Sequence, residues 1–123
     1  MNTRIRVMLL PKDTNPHGNI FGGVLLSYID LAAAEEARYY TMKRSNGCIY
    51  KFVTKIFREV NFVAPVHVGE TVSFYTDTIA TGKSSVTVKV EVKVGIGSEE
   101  KLVTTAEVVM VSVDQHGRKR ELP

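Results

Sequence analysis

The sequence has few of the residues that stabilise secreted proteins or hold metal ions. Its only cysteine, Cys48, has no second cysteine for an internal disulfide, which fits a reducing cytoplasm. The three histidines, His17, His67 and His116, are far apart, and no Cys/His group has the spacing of metal ligands. We therefore predict a protein without a metal site or an internal disulfide.

Long apolar runs and concentrated charge are also missing. The longest apolar stretch is interrupted by Asp30 and is shorter than the ~20 residues of a membrane-spanning helix. No charged segment followed by an apolar one opens the chain, so we predict a cytoplasmic protein. The net charge is +3, and the basic residues are scattered except at residues 118–120, which argues against a nucleic-acid partner. A phosphate-bearing small ligand would be a sufficient reason for the positive charge, and chance is another.

The 123 residues suffice for one core, so we predict a single domain over residues 1–123. The pattern predicts one helix and five strands of an antiparallel sheet, of which the valine alternation at 86–94 gives the clearest strand. The helix is apolar nearly all round in its first half and polar in its second, so other structure should wrap the first half. This is an α+β fold whose open sheet edges favour pairing with another copy. The predicted elements are a helix at 22–43 and strands at 3–10, 49–60, 71–81, 86–94 and 102–113.

Asp30 is the only charged residue between positions 21 and 34. Burying an unpaired carboxylate costs several kcal/mol, so such a group is usually partnered, protonated or functional. A structural role for Asp30, as a cap or a partner of a buried polar group, is the weaker interpretation. We therefore select Asp30 as the candidate catalytic acid or base.

A polar, turn-rich loop delivers Gly22 and Gly23 to the start of the helix. Free amides at a helix N-terminus suit a developing oxyanion, and glycine lets a substrate approach them closely. The two glycines would also permit a tight turn and close helix–sheet packing. Asn15 in the loop is a candidate catalytic amide or an Asx-turn residue, two roles that are compatible. His17 lies in a Pro-His-Gly turn, and we do not select it as a base.

Gly22 and Asp30 are eight residues apart on one helix, or about 12 Å along its axis at ~1.5 Å per residue. One helix cannot place its own acid beside its own N-terminal amides. Two helices related by a dimer axis can do so, each acid facing the other's N-terminus. The spacing therefore favours a composite site in a homodimer.

Four blocks of the sequence resemble the hotdog-fold acyl-CoA thioesterases of the acyl-CoA hydrolase family, the YciA-like and brain-type group. They are DTNPHGNIFGG at 13–23 with the acid at position 30, VNFVAPVHVGE at 60–70, TGKSS at 81–85 and VDQHGR at 113–118. The resemblance implies a hotdog fold, a sheet wrapped around one long central helix, with active sites across a dimer interface. It also makes a trimer of dimers plausible.

By this resemblance, Asp30 activates the attacking water or attacks directly, Gly22 with adjacent Gly23 binds the thioester oxygen, and Asn15 helps to position the reaction. One departure is Ala34, where some hotdog thioesterases place a hydroxyl that orients water. The implied reaction hydrolyses acyl-CoA and needs no cofactor, since coenzyme A is part of the substrate.

Coenzyme A contacts are expected at a strand end and near the C-terminus. Hydroxyls and cations there could hold its phosphates or amides, although hairpin polarity and a solvated tail are the alternatives. The candidates are Lys83, Ser84, Ser85 and Arg118 for coenzyme A, and Val24, Leu25, Tyr28 and Phe62 for an acyl channel, although most such residues are simply core.

Two other functions stay open. An acyl-CoA-sensing module would not need a costly helix carboxylate, and a hotdog dehydratase usually pairs a histidine with an acid. No histidine lies on the predicted helix or on a confidently placed strand.

Overall fold

One long helix packs against a five-stranded antiparallel sheet in a computed structural model, which describes residues 1–123. Every predicted element is present, and its ends fall within two residues of the prediction. No helix combines the length and apolar character needed to cross a membrane. In chain order the elements are β1 (Asn2–Met8), α1 (Gly22–Arg44), β2 (Lys51–Phe62), β3 (Thr71–Thr81), β4 (Ser85–Val94) and β5 (Lys101–Val113), with short 3-10 turns at Pro11–Asp13 and Gly97–Glu99.

The strand order in the sheet is β1-β3-β4-β5-β2, so β4 is central and β1 and β2 are the edges. The valines of β4 are fully buried at every second position from Val86 to Val92 and pack in one core with α1. On β5 all residues from Val108 to Val113 are buried, as expected of a strand covered on both faces. The sheet thus encloses one side of the helix, as the valine alternation predicted.

Strand β2 leaves much apolar surface exposed because it has a neighbour on one side only. Val53, Ile56 and Phe57 are each at least 37% exposed, and Phe62 is 53% exposed. Glu59 has φ +53°, and the pairing with β5 shifts register between Arg58 and Asn61, which indicates a bulge. This open edge is where the predicted pairing with a second copy would take place.

The burial along α1 differs from the sequence prediction in both halves. Leu31 in the apolar half is 56% exposed, so other parts of the same chain do not wrap this half completely. Glu36 in the polar half is only 7% exposed. The cause is that the sheet covers one side of the helix along its whole length, so burial follows the helix face and not the position along the chain.

Glu36 is buried because its carboxylate is fully hydrogen-bonded. Arg4 donates to Oε1 from Nε (3.1 Å) and from a terminal nitrogen (3.0 Å), and Thr76 donates to the same oxygen at 2.8 Å. Thr78 donates to Oε2 at 2.9 Å. Burial acts to raise the pKa of Glu36, but the hydrogen bonds from Thr76, Thr78 and Arg4 and the charge of Arg4 outweigh it. The pKa of Glu36 therefore lies below its ordinary value of 4.5.

We expect Glu36→Gln to lower the free energy of unfolding at neutral pH by about 1–3 kcal/mol, because a bound charge and its hydrogen bonds are lost. Since the pKa is lower in the folded state, ionised Glu36 stabilises the fold above about pH 4.5, and this contribution disappears as the pH falls through the lower folded pKa. Urea unfolding at neutral pH and at about pH 3 measures both effects. Glu35→Gln, at an exposed ion pair, is the matched control. A difference between wild type and Glu36→Gln that is undiminished at low pH would contradict the assignment.

Candidate active site

The loop before α1 is fixed by backbone hydrogen bonds to the connection between β2 and β3 and within itself. Ile20 N–H donates to Val66 O at 2.8 Å, and Phe21 N–H donates to Asp13 O at 2.9 Å. These bonds orient the chain so that the helix begins at Gly22. The polar loop, Asn15 included, is thereby held next to the helix start.

The first two amides of α1 are available to a ligand. The N–H groups of Val24 and Leu25 both donate to Phe21 O, at 3.0 and 3.3 Å. The N–H groups of Gly22 and Gly23 donate to no acceptor in the chain. Because the positive end of the helix dipole lies at the same place, the two amides form a ready site for a negatively charged oxygen.

Gly22 also has a packing role. A Cβ on Gly22 would lie 3.2 Å from the ring of Phe62, whereas a Cβ on Gly23 would meet nothing within 4 Å. The structural interpretation of the glycines, close packing of helix and sheet, therefore holds for Gly22 but not for Gly23. Both amides are free, so the functional interpretation stays a prediction for both glycines.

The side chain of Asn15 forms an Asx-type turn. Its Oδ1 accepts hydrogen bonds from His17 N–H at 2.9 Å and from Asn19 N–H at 3.1 Å. Its Nδ2 donates to no group of the chain. The turn thus fixes the orientation of the amide and leaves its donor end available. The imidazole of His17 is exposed at the tip of the same turn.

Asp30 lies on the same side of the molecule as β2 and is half-buried. The hydroxyl of Thr54 in β2 donates to Asp30 Oδ1, and the same hydroxyl lies 3.8 Å from the sulfur of Met110. The expectation of a buried carboxylate is therefore wrong for the single chain, because the outer side of β2 is uncovered. The carboxylate is nevertheless partnered and fixed.

Thr54 is the residue of this site that sequence reasoning missed. The strand containing it was predicted at 49–60, but nothing in the sequence says which strand residue lies opposite position 30 of the helix. That contact depends on the tertiary packing of α1 on β2. A hydroxyl is thus present beside the acid, although Ala34 supplies none.

The predicted coenzyme A residues gather at one corner of the sheet. Ser112 N–H donates to Ser84 O at 2.7 Å, and Leu122 N–H donates to Lys83 O at 2.8 Å. The C-terminal segment that carries Arg118 is thereby held against the hairpin between β3 and β4. The side chains of Lys83 and Arg118 are both exposed there.

This corner lies close to Thr54, the strand residue that is hydrogen-bonded to Asp30. Val86, the residue after Ser85, is paired with Met110, which is in turn paired with Thr54. Two strand spacings of about 4.8 Å separate Val86 from Thr54, or roughly 10 Å across the sheet. A ligand that contacts the hairpin could therefore reach Asp30.

The predicted acyl-channel residues are mostly part of the core. Leu25 is 3% exposed, and the ring of Tyr28 packs on Phe74 with the centroids 5.6 Å apart. Val24 is half-buried against the same core, while Phe62 covers Gly22. Leu25 is therefore a core residue, whereas Val24, Tyr28 and Phe62 are not fully buried, and their role in an acyl channel stays a prediction.

Comparisons with known proteins agree with this fold and arrangement. A family described as the thioesterase superfamily matches residues 17–101. An uncharacterized acyl-CoA thioester hydrolase of Haemophilus influenzae is 35% identical over 124 residues, which cover 97% of this chain and 76% of that protein.

Two solved structures are similar over nearly the whole chain. A hexameric thioesterase from Yersinia pestis has a TM-score of 0.87 at 35% identity, covering 99% of this chain and 95% of the other. An acyl-CoA hydrolase from Staphylococcus aureus, solved with butyryl coenzyme A, coenzyme A and coenzyme A disulfide, has a TM-score of 0.83 at 26% identity. It covers 97% of this chain and 70% of the other.

Proposed function

Because this chain belongs to the thioesterase superfamily, we propose that it hydrolyses acyl-CoA, releasing a free carboxylic acid and coenzyme A. The observation that carries the proposal is the pair of unused amides at Gly22 and Gly23 on the helix that also bears Asp30. Thioester hydrolysis needs a group that polarises the thioester carbonyl and an activated water or nucleophile. No cofactor takes part.

In the proposed reaction the thioester oxygen lies at the amides of Gly22 and Gly23. Asp30 takes a proton from water as that water attacks the thioester carbon, or it attacks the carbon directly. The negative charge that develops on the oxygen is stabilised by the two amides and the helix dipole. The carbon–sulfur bond then breaks, and the leaving sulfur of coenzyme A receives the proton held by Asp30. After direct attack the thiolate of coenzyme A leaves first, and water then hydrolyses the mixed anhydride, which releases the acid, regenerates Asp30 and supplies the proton to the thiolate.

The reaction needs two copies of the chain. α1 is continuous from Gly22 to Arg44, so the acid and the amides of one helix stay about 12 Å apart. We infer a homodimer in which Asp30 of one protomer faces the glycine amides of the other, assembled along the exposed apolar edge of β2. Hexameric thioesterases among the similar structures make a trimer of dimers a reasonable full assembly.

Coenzyme A is proposed to bind at the corner formed by Lys83, Ser84, Ser85 and Arg118. Cationic side chains and hydroxyls suit its phosphates, and the corner lies within roughly 10 Å of the Asp30 side of the sheet. The mild positive charge of the chain also favours an anionic substrate.

A thiol-release assay with acyl-CoA substrates from acetyl to dodecanoyl tests this function. Catalytic release of coenzyme A is the expected result. Tight acyl-CoA binding without release would identify the sensing module instead, and loss of water from a hydroxyacyl-CoA would identify a dehydratase. Either of these outcomes would overturn the proposal.

Asn15→Asp separates the two roles of this side chain. The aspartate keeps an oxygen that accepts from His17 and Asn19, so the turn and the melting temperature should be preserved. It lacks the amide donor, so we expect kcat to fall by about 10- to 100-fold. Activity and thermal melting are measured on the same sample. Unchanged kcat would limit Asn15 to a structural role.

Thr54→Val removes the hydroxyl that fixes the catalytic carboxylate while keeping the side-chain shape. We expect kcat to fall by about 10- to 100-fold with little change in stability, because valine nearly matches threonine in shape and only one side-chain hydrogen bond to Asp30 is lost. Thr54→Ser retains the donor and should keep most of the activity. Equal activity of the Val and Ser variants would contradict a positioning role for the hydroxyl.

A further inference from the structure

A mostly apolar furrow runs between the second half of α1 and the start of β2. Its first part is a cavity of about 280 Å³. Ala34 and Arg38 line it from the helix, and residues 49–52, which include the charged Lys51, line it from the strand side. The furrow lies on the surface of the single chain, and the site residues described above do not form its walls.

The furrow continues along the helix past Arg38. A second cavity of about 140 Å³ shares Arg38 and Ile49 with the first and extends to Met42. Arg38 therefore stands where one cavity passes into the other. Its guanidinium donates to Glu35 at 3.1 Å, and both side chains are about half exposed, which places a polar pair at the junction of the two cavities.

Both walls of the furrow begin at the catalytic acid. Ala34 is one helical turn beyond Asp30, about 6 Å along the axis. Phe52 is two residues before Thr54, so the two side chains are on the same face of β2, and Thr54 is bonded to Asp30. A chain attached to a carbonyl carbon at Asp30 would thus enter the furrow directly.

We propose that this furrow holds the acyl chain of the substrate and that Arg38 sets its preferred length. The inference rests on the proposed function. Each methylene buried against the first cavity should strengthen transition-state binding by about fourfold. A longer chain has to pass the charged pair of Arg38 and Glu35, so the gain per methylene should stop there. Ala34 keeps the entrance open because its side chain is small.

The test compares kcat/KM across acetyl-, hexanoyl- and dodecanoyl-CoA. In Arg38→Met the ratio of kcat/KM for dodecanoyl-CoA to that for hexanoyl-CoA should rise about tenfold, since the charged side chain in the path of the longer chain is replaced by an apolar one. In Ala34→Leu the hexanoyl-to-acetyl ratio should fall about tenfold, since the entrance is narrowed. Arg44→Met is the matched control, because Arg44 is on the same helix, stacks on Tyr40 and does not line the furrow.

Ratios within about twofold of wild type in both furrow variants would overturn the inference, as would an equal shift in Arg44→Met. A changed inhibition constant for free coenzyme A, with unchanged ratios, would assign the furrow to the pantetheine arm and also overturn it. A wild-type protein that releases coenzyme A from none of the three substrates would overturn the proposed function itself. The two failures are therefore distinguishable.

Discussion

Asp30→Asn is expected to lower kcat for acyl-CoA hydrolysis by at least about a thousandfold while leaving the fold intact. Asparagine has nearly the shape of aspartate, and its Oδ1 can still accept the hydrogen bond from Thr54. It cannot take a proton from water or act as a carboxylate nucleophile. The loss therefore reports the chemistry of the carboxylate and not its packing.

The experiment measures thiol release and thermal unfolding of wild type and variant together. Asp77→Asn is the matched control, because it makes the same change at a half-exposed acid on β3, which is three strands away from β2, the strand that contacts Asp30. We expect Asp77→Asn to keep wild-type kcat. Wild-type turnover by Asp30→Asn would end the assignment of Asp30 as the catalytic group.

The fold was largely predictable because its signals are local. The period-2 valines of β4 and the stop signal after the helix depend only on neighbouring residues. At that stop, Asn46 and Gly47 have φ of +55° and +88°, a conformation that these two residue types tolerate best. The predicted ends of the helix and strands therefore lie within two residues of the observed ones.

The polar contacts of the site and the core were less predictable because they join distant residues. Asn15, Gly22 and Asp30 could be selected from one short stretch of sequence. Thr54 could not, since its contact with Asp30 depends on how β2 packs on the helix. Glu36 was missed for the same reason, because its partners come from β1 and β3.

Mixing two inactive variants should restore activity if the site is composite. Asp30→Asn removes the acid, and Gly22→Val places a side chain where the thioester oxygen must approach the amide. The Val side chain displaces the ring of Phe62, which is half exposed in the single chain, so we expect the fold to survive. In a heterodimer, one of the two sites combines an intact Asp30 with an intact Gly22, while the other site carries both defects.

An equal mixture that exchanges subunits freely contains about half heterodimers, so we expect about a quarter of wild-type activity to return. Native mass spectrometry of differently tagged chains measures the heterodimer fraction, and thiol release measures the activity. Asp30→Asn mixed with the double variant Asp30→Asn/Gly22→Val is the control and should stay inactive, since no intact Asp30 is present. Heterodimers without restored activity would mean that each site takes its acid and its amides from the same chain. Because about 12 Å of helix separates those groups, that outcome would also remove Gly22 as the oxyanion donor to the Asp30 reaction.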